Sequence, residues 1–143
     1  MSVQTSDPLL AKFFTLTVDS MDLGHWTQVQ LGSVDVAIES YQEGGNQQFV
    51  HKIPGRVSYK NLKLTRLAGQ ETKLVASFFT SVAQGYQPSG AEVVALGRDY
   101  QPILTFTYLR VVPVSWTLPK FDVDGKKALV ETIEFAHHGF TTS

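Results

Sequence analysis

Four histidines, two glutamates three residues apart and one Asp-x-Asp-Gly run are the groups in this 143-residue chain that could do chemistry. His137 and His138 are adjacent, so on a strand their rings point to opposite faces and cannot share one metal ion. His25 and His51 lie far off in sequence, and no His-x-His or His-x-x-x-His spacing offers a chelating pair. Asp122, Val123, Asp124 and Gly125 begin like a calcium loop, yet the twelfth position is Ile133 and not a bidentate glutamate, so the run reads as a turn. Glu131 and Glu134 face opposite sides of a strand, which is poor geometry for a paired acid and base. No Gly-x-Ser-x-Gly elbow is present, and Gly44 and Gly45 open no helix and carry no Lys-Ser/Thr pair for a phosphate. Cysteine is absent, which excludes a thiolate ligand, a cysteine nucleophile and a disulfide framework. The sequence therefore assigns no catalytic, metal-ligating or cofactor-binding residue, and no enzymatic activity is expected.

Composition points elsewhere. Net charge is -1 from 12 basic and 13 acidic residues, with no basic stripe of the kind that captures phosphates. Charged residues make up 17 %, against about 25 % in ordinary soluble domains. Neutral polar residues fill the gap, with 13 Thr, 11 Ser and 10 Gln. Threonine suits strands, but surface destined for burial against a neighbour also avoids charge, because charge is costly to desolvate. The length suits one domain, residues 1–143, which buries roughly 70 % of its unfolded surface without staples. The N-terminus has no basic and apolar leader, and no apolar run approaches the ~20 residues of a membrane span, so synthesis in the cytoplasm without a signal peptide is expected.

The elements that must position these groups are mainly β. Period-2 alternation marks Lys12 to Val18, Trp26 to Tyr41, Phe49 to Ile53, Tyr59 to Leu67, Glu92 to Leu96, Gln101 to Val112 and Ala128 to Ala136. Within the second run Val34, Val36 and Ile38 share one face, and Asp35 and Glu39 the other. In the fourth, Leu62 and Leu64 oppose Asn61, Lys63 and Thr65. Pro113 is expected to interrupt or end its strand, having no N–H for the ladder. Thr72 to Gln84 alone has helical spacing, with Val75, Phe79 and Val82 beside Leu74 and Phe78, Thr72 as N-cap and Gly85 just past the end. The expected fold is an antiparallel β-sandwich or barrel of about seven or eight strands with one packed α-helix.

One segment stands out. Glu39 to Asn46 carries a strand into a charged double-glycine turn, and Lys52 to Gly55 is read as ending the returning strand on a Pro-Gly corner. With its company further along the chain, this loop resembles the tail-tube protein family of contractile phage tails and related contractile injection systems. Ser40 to Gly45 resembles the family's Y-x-E-G-G loop. Lys52 to Gly55 with Tyr59 to Arg66 resembles its K-L-P-G…Y-x-N-x-x-L-x-R run. Val112 to Pro119 is similar to P-x-x-W-x-x-P, and Glu131 to Phe140 to the closing E-x-x-E-x-A-H-x-G segment. Leu67 and Ala68 precede Gly69 where the family has a glycine directly after the arginine, and Phe78 or Phe79 replaces a helix tryptophan of relatives.

That resemblance implies a tail-tube-like fold and a structural role: an inner-tube subunit forming stacked hexameric rings around a channel for DNA or protein cargo, inside a virion tail or injection particle. It implies stacking through Tyr41, Glu43, Gly44, Gly45, Pro54 and Gly55. Asn61, Lys63 and Thr65, or Asp35 and Glu39, are the candidate channel-lining faces. Implied partners are further copies of the chain, sheath and baseplate subunits, and cargo passing transiently, with no stable nucleic-acid binding, no membrane insertion and no cofactor. The alternative from a different class is a monomeric β-sandwich binding a ligand such as a carbohydrate through Trp26, Trp116 and Tyr108.

Overall fold

A computed structural model describes residues 10–42, 50–118 and 129–143. In chain order the elements are β1 (Phe13–Val18), β2 (Met21–Trp26), β3 (Gln28–Gln30), β4 (Val34–Gln42), β5 (Val50–Tyr59), β6 (Leu62–Leu67), α1 (Thr72–Gln84), β7 (Ser89–Leu96), β8 (Pro102–Thr117), β9 (Val130–Ala136) and β10 (Phe140–Thr142). The mainly β architecture with one helix matches the sequence expectation. The strands number ten among the described residues because the run from Trp26 to Tyr41 is divided between β2, β3 and β4, and because β10 follows the closing strand.

Eight strands form one antiparallel sheet in the order β2-β1-β7-β8-β9-β6-β3, with β10 also on β8; β4 and β5 form a separate ribbon. The two ends of the sheet order, β2 and β3, are consecutive along the chain with only Thr27 between them. The sheet therefore rolls up on itself. β8 joins its two halves: Leu104 to Tyr108 pair with β7, and Val112 to Thr117 pair with β9. Pro113 does not end this strand. It sits at a bulge, where the register shifts between Pro113 and Ser115 and the ladder needs no proline N–H.

Alternation along the strands sends Leu16, Val18, Leu62, Leu64, Val93, Phe106, Tyr108, Ile133 and Phe135 inward to one core with Leu23 and Trp26. Each such side chain contributes roughly 1.5–3 kcal/mol by leaving water. The helix closes this core. Val75 and Phe78 are buried, Phe78 packs edge-on to Phe135, and Phe79 stacks on Trp116 at 5.5 Å. Gly85 ends the helix as expected, at φ 132°. Thr72 is not its N-cap: Glu71 holds that position, without a side-chain capping bond.

Candidate functional site

The face of β6 opposite the core is polar, and register extends that polarity over four strands. Thr65 pairs with Gln28 of β3 and with Thr132 of β9, which in turn pairs with Thr117 of β8. One row on, Lys63 pairs with Gln30 and Glu134, and Glu134 with Ser115. Two transverse rows result, Gln28–Thr65–Thr132–Thr117 and Gln30–Lys63–Glu134–Ser115. Thr65 and Thr132 bring their hydroxyls to 3.3 Å, and Asn61 Nδ2 donates to Glu134 Oε2 at 3.0 Å. Of the expected lining residues, Asn61, Lys63 and Thr65 thus lie together on this surface. Beyond the Thr65 row the same face ends in the exposed, paired Leu67 and Val130. Among the described residues, no strand pairs with the outer edge of β3 or with the second edge of β8 from Val112 to Thr117.

Asp35 and Glu39 lie elsewhere, on the β4–β5 ribbon, where they pair with Ser58 and Ile53. The ribbon's other face carries Val34, Val36, Ile38, Val57 and Tyr59. Val34, Val36, Ile38, Ile53 and Val57 are 44–56 % exposed. A lone two-stranded ribbon is marginal in water, and Tyr59 anchors this one on His137 and Phe140. Pro54 and Gly55 do not form the expected corner. β5 runs straight through them to Tyr59, with Pro54 opposite Ile38 and a register shift beside it. A proline is tolerated at such a bulge. At Gly55 a Cβ would approach Ala37 O to 3.2 Å, so close approach of the strands explains this glycine better than a turn does. Glu43, Gly44 and Gly45 fall outside the described residues, as does the Asp122 to Lys126 run, and for Tyr41 the backbone pairing with His51 is what is described.

Behind the polar face lies an ion cluster that periodicity alone did not reveal. Arg66 continues the inward positions of Leu62 and Leu64, and its register partner Glu131 continues those of Ile133 and Phe135. Both are buried, at 4 % and 0 % exposure. Arg66 Nη2 donates to Glu131 Oε1 at 3.3 Å and to Glu71 O at 2.8 Å. Nη1 donates to Leu23 O at 2.8 Å and Glu71 Oε2 at 3.0 Å, and the guanidinium lies 3.9 Å over the Trp26 ring. Thr72 Oγ1 donates to Glu131 Oε2, and the His25 N–H donates to Glu71 Oε2 at 2.8 Å. Gly24, at φ 87°, backs this cluster so closely that a Cβ would lie 2.5 Å from Glu71 Oε2. The cluster ties β2, β6, β9 and the start of α1 together. Its signal in the sequence was a charge at an inward alternation position on each of two strands, which demands a partner.

Glu131 and Glu134 lie on opposite faces, as their spacing requires. His137 is buried, its Nε2 at 2.9 Å from Lys60 O and its Nδ1 accepting from Gly139 N–H, while His138 is exposed. No group of three metal-ligating side chains occurs among the described residues. Trp26 and Tyr108 are fully buried, and Trp116 packs on Phe79. Of the three aromatics of the ligand-binding alternative, Trp26 and Tyr108 are core residues and Trp116 is partly buried against that core, so they share no exposed platform.

Known proteins share this arrangement. The family model "T4-like virus tail tube protein gp19" matches residues 11–141. A chain of the PVC extracellular contractile injection system, from its sheath-tube complex in the extended state, superposes with a TM-score of 0.78. It is 16 % identical, and the match covers 99 % of both chains. A chain of the anti-feeding prophage baseplate gives 0.77 at 16 % identity, covering 98 % of this chain and 97 % of that one. Hcp1 from Salmonella typhimurium gives 0.58 at 17 % identity, covering 93 % of each. No curated protein sequence matches.

Two outcomes test the ion cluster. Arg66→Met leaves Glu131 buried without its cation, and we expect a loss of about 3–5 kcal/mol in urea denaturation, partly recovered by adding Glu131→Gln. Burial opposes ionisation of Glu71, but the His25 N–H and ring and the Arg66 charge outweigh it and hold its pKa below the ordinary 4.5. A depressed folded pKa gives stability that is complete above the unfolded value and lost as pH falls through the folded one. Glu71→Gln should therefore flatten the decline of the urea midpoint below pH 4.5 relative to wild type.

Proposed function

Because this chain belongs to the tail tube protein family of T4-like viruses, we propose that it is the inner-tube subunit of a contractile phage tail or contractile injection system, assembling as hexameric rings that stack around a channel. The observation that carries this reading is the four-stranded half-sheet with a polar open face and, on either side, an edge that no strand among the described residues pairs. Unpaired edges in a soluble monomer invite uncontrolled association. Setting β3 of one copy beside the Val112–Thr117 segment of β8 in the next satisfies both edges, and rotational closure ends the growth. The polar rows, with Lys63, Thr65 and Asn61, then line the bore. A wall of amides and hydroxyls remains hydrated and gives passing cargo little to adhere to.

Stacking uses the ribbon. Tyr41, Glu43, Gly44, Gly45, Pro54 and Gly55 are proposed as ring-to-ring contacts, with the half-exposed Val34, Val36, Ile38 and Val57 burying apolar area against the next ring. Asp35 and Glu39 lie on the ribbon's other face, and we assign them to this junction in place of the continuous wall. The role is mechanical and non-enzymatic: a stiff tube, enclosed by sheath and seated on a baseplate, is driven through a target envelope and delivers DNA or protein through its bore. No described helix is long and apolar enough to cross a membrane.

Electron microscopy of concentrated protein should show rings or tubes with a hollow centre; a strict monomer in light scattering at every concentration overturns the reading. The chain has no cysteine of its own, so Thr65→Cys gives a unique label site. In assembled tubes it should react with a small maleimide and resist one carrying a bulky polymer, whereas the monomer reacts with both. Ile38→Asp combined with Val57→Lys should leave the monomer's thermal midpoint unchanged, since both positions are half-exposed, while rings accumulate without stacking.

A further inference from the structure

The two polar rows hold eight side chains, of which two are charged, and those two have opposite sign. Lys63 and Glu134 are direct register partners. The others, Gln28, Gln30, Thr65, Thr132, Ser115 and Thr117, are neutral donors and acceptors. The flanking positions of this face, Leu67 and Val130 at one end and Asn61, Ala136 and Val112 at the other, carry no charge either. Resting on the reading of this face as the channel wall, we propose that the described wall is balanced to neutrality by Lys63 and Glu134, and that the cargo it fits is polypeptide of either net charge.

The physical case turns on distances. Side chains opposite one another in an antiparallel pair sit on Cα atoms about 5 Å apart. A ring repeats each charge, so Lys63 forms a positive belt and Glu134 a negative belt about 5 Å from it. That spacing is shorter than the Debye length of about 8 Å at physiological salt. The belts therefore cancel at the axis before ions screen either one. An unbalanced belt would act differently, because a narrow bore with low-dielectric walls focuses the field of like charges. A polyanion of uniform sign passes an acidic wall by simple repulsion. A polypeptide carries both signs along its length, so a wall of either sign holds some of its segments back, and only a balanced, hydrated wall holds none. The amide and hydroxyl rows meet that requirement.

The test uses assembled tubes and three fluorescent disordered peptides of equal length, with net positive, negative and zero charge, plus a single-stranded oligonucleotide of similar contour. Co-sedimentation at low and high salt reads their uptake. In wild-type tubes we expect the three peptides to partition within about twofold of one another, with little salt dependence. Lys63→Glu converts both belts to negative and should enrich the cationic peptide over the anionic one by about tenfold at low salt, an effect lost at high salt. The exchange Lys63→Glu with Glu134→Lys restores balance and should restore indifference; it also serves if the single variant fails to assemble. A wild-type tube that separates the charged peptides by tenfold overturns the proposal, as does a Lys63→Glu tube that does not. Preferential uptake of the oligonucleotide over all peptides overturns polypeptide as the cargo class. Thr65→Cys labelling separates the two failures: reactivity toward bulky maleimide in the tube defeats the channel reading itself, while protection with charge-selective uptake defeats only the neutrality.

Discussion

The register between β6 and β9 is the constraint on which the rest of the structure depends. A strand's side chains alternate, so a slip of one residue would carry Lys63 and Thr65 into the core and put Leu62 and Leu64 in water. Burial of leucines opposes such a slip, and the Arg66–Glu131 pair opposes it more sharply. Parting the two would leave a charge buried without its counter-ion, at a cost of about 3–5 kcal/mol. The same cluster reaches Glu71 and Thr72 at the start of the helix and the backbone of β2. One buried interaction thus fixes the strand register, the polar rows and the seating of the helix over the core.

The fold is well filled inside and unfinished outside. Its core has contributions from both halves of the rolled sheet, but the outer edge of β3, the second edge of β8 and the apolar face of the β4–β5 ribbon lack partners among the described residues. Free ladder groups and half-exposed valines are liabilities in a solitary domain. In the proposed tube they become assets, because the neighbouring copy in the ring satisfies the two edges and the next ring covers the ribbon. The low charge content fits this economy: threonine, serine and glutamine hydrate a wall and can also be buried beside a neighbour at modest cost, which lysine and glutamate cannot.

The bulges mark where a strand had to turn without stopping. At Pro113 and Pro54 the chain uses a residue that donates no ladder bond at the point where the register shifts. In sequence Pro54 read as a corner that ends its strand, and Pro113 as a residue that interrupts or ends one. A proline disqualifies a position from a regular ladder, but whether the chain then stops or only steps over one rung depends on which strand lies alongside, and that strand is distant in sequence.

Local periodicity in the sequence encodes the strands on alternation, one helix from Thr72 to Gln84 with Gly85 beyond it, and an inward Leu62–Leu64 face against an outward Lys63–Thr65 face. The ordered motifs from Ser40 to Phe140 carried the family resemblance as well. Only the tertiary structure decided that β8 continues through Pro113, that Pro54 and Gly55 lie inside a strand, that Asp35 and Glu39 lie on a ribbon apart from the polar rows, and that Arg66 meets Glu131 across 65 residues. The reason is physical: alternation is written in neighbours two residues apart, whereas register, pairing and burial are set by which remote segments share a ladder and exclude water together.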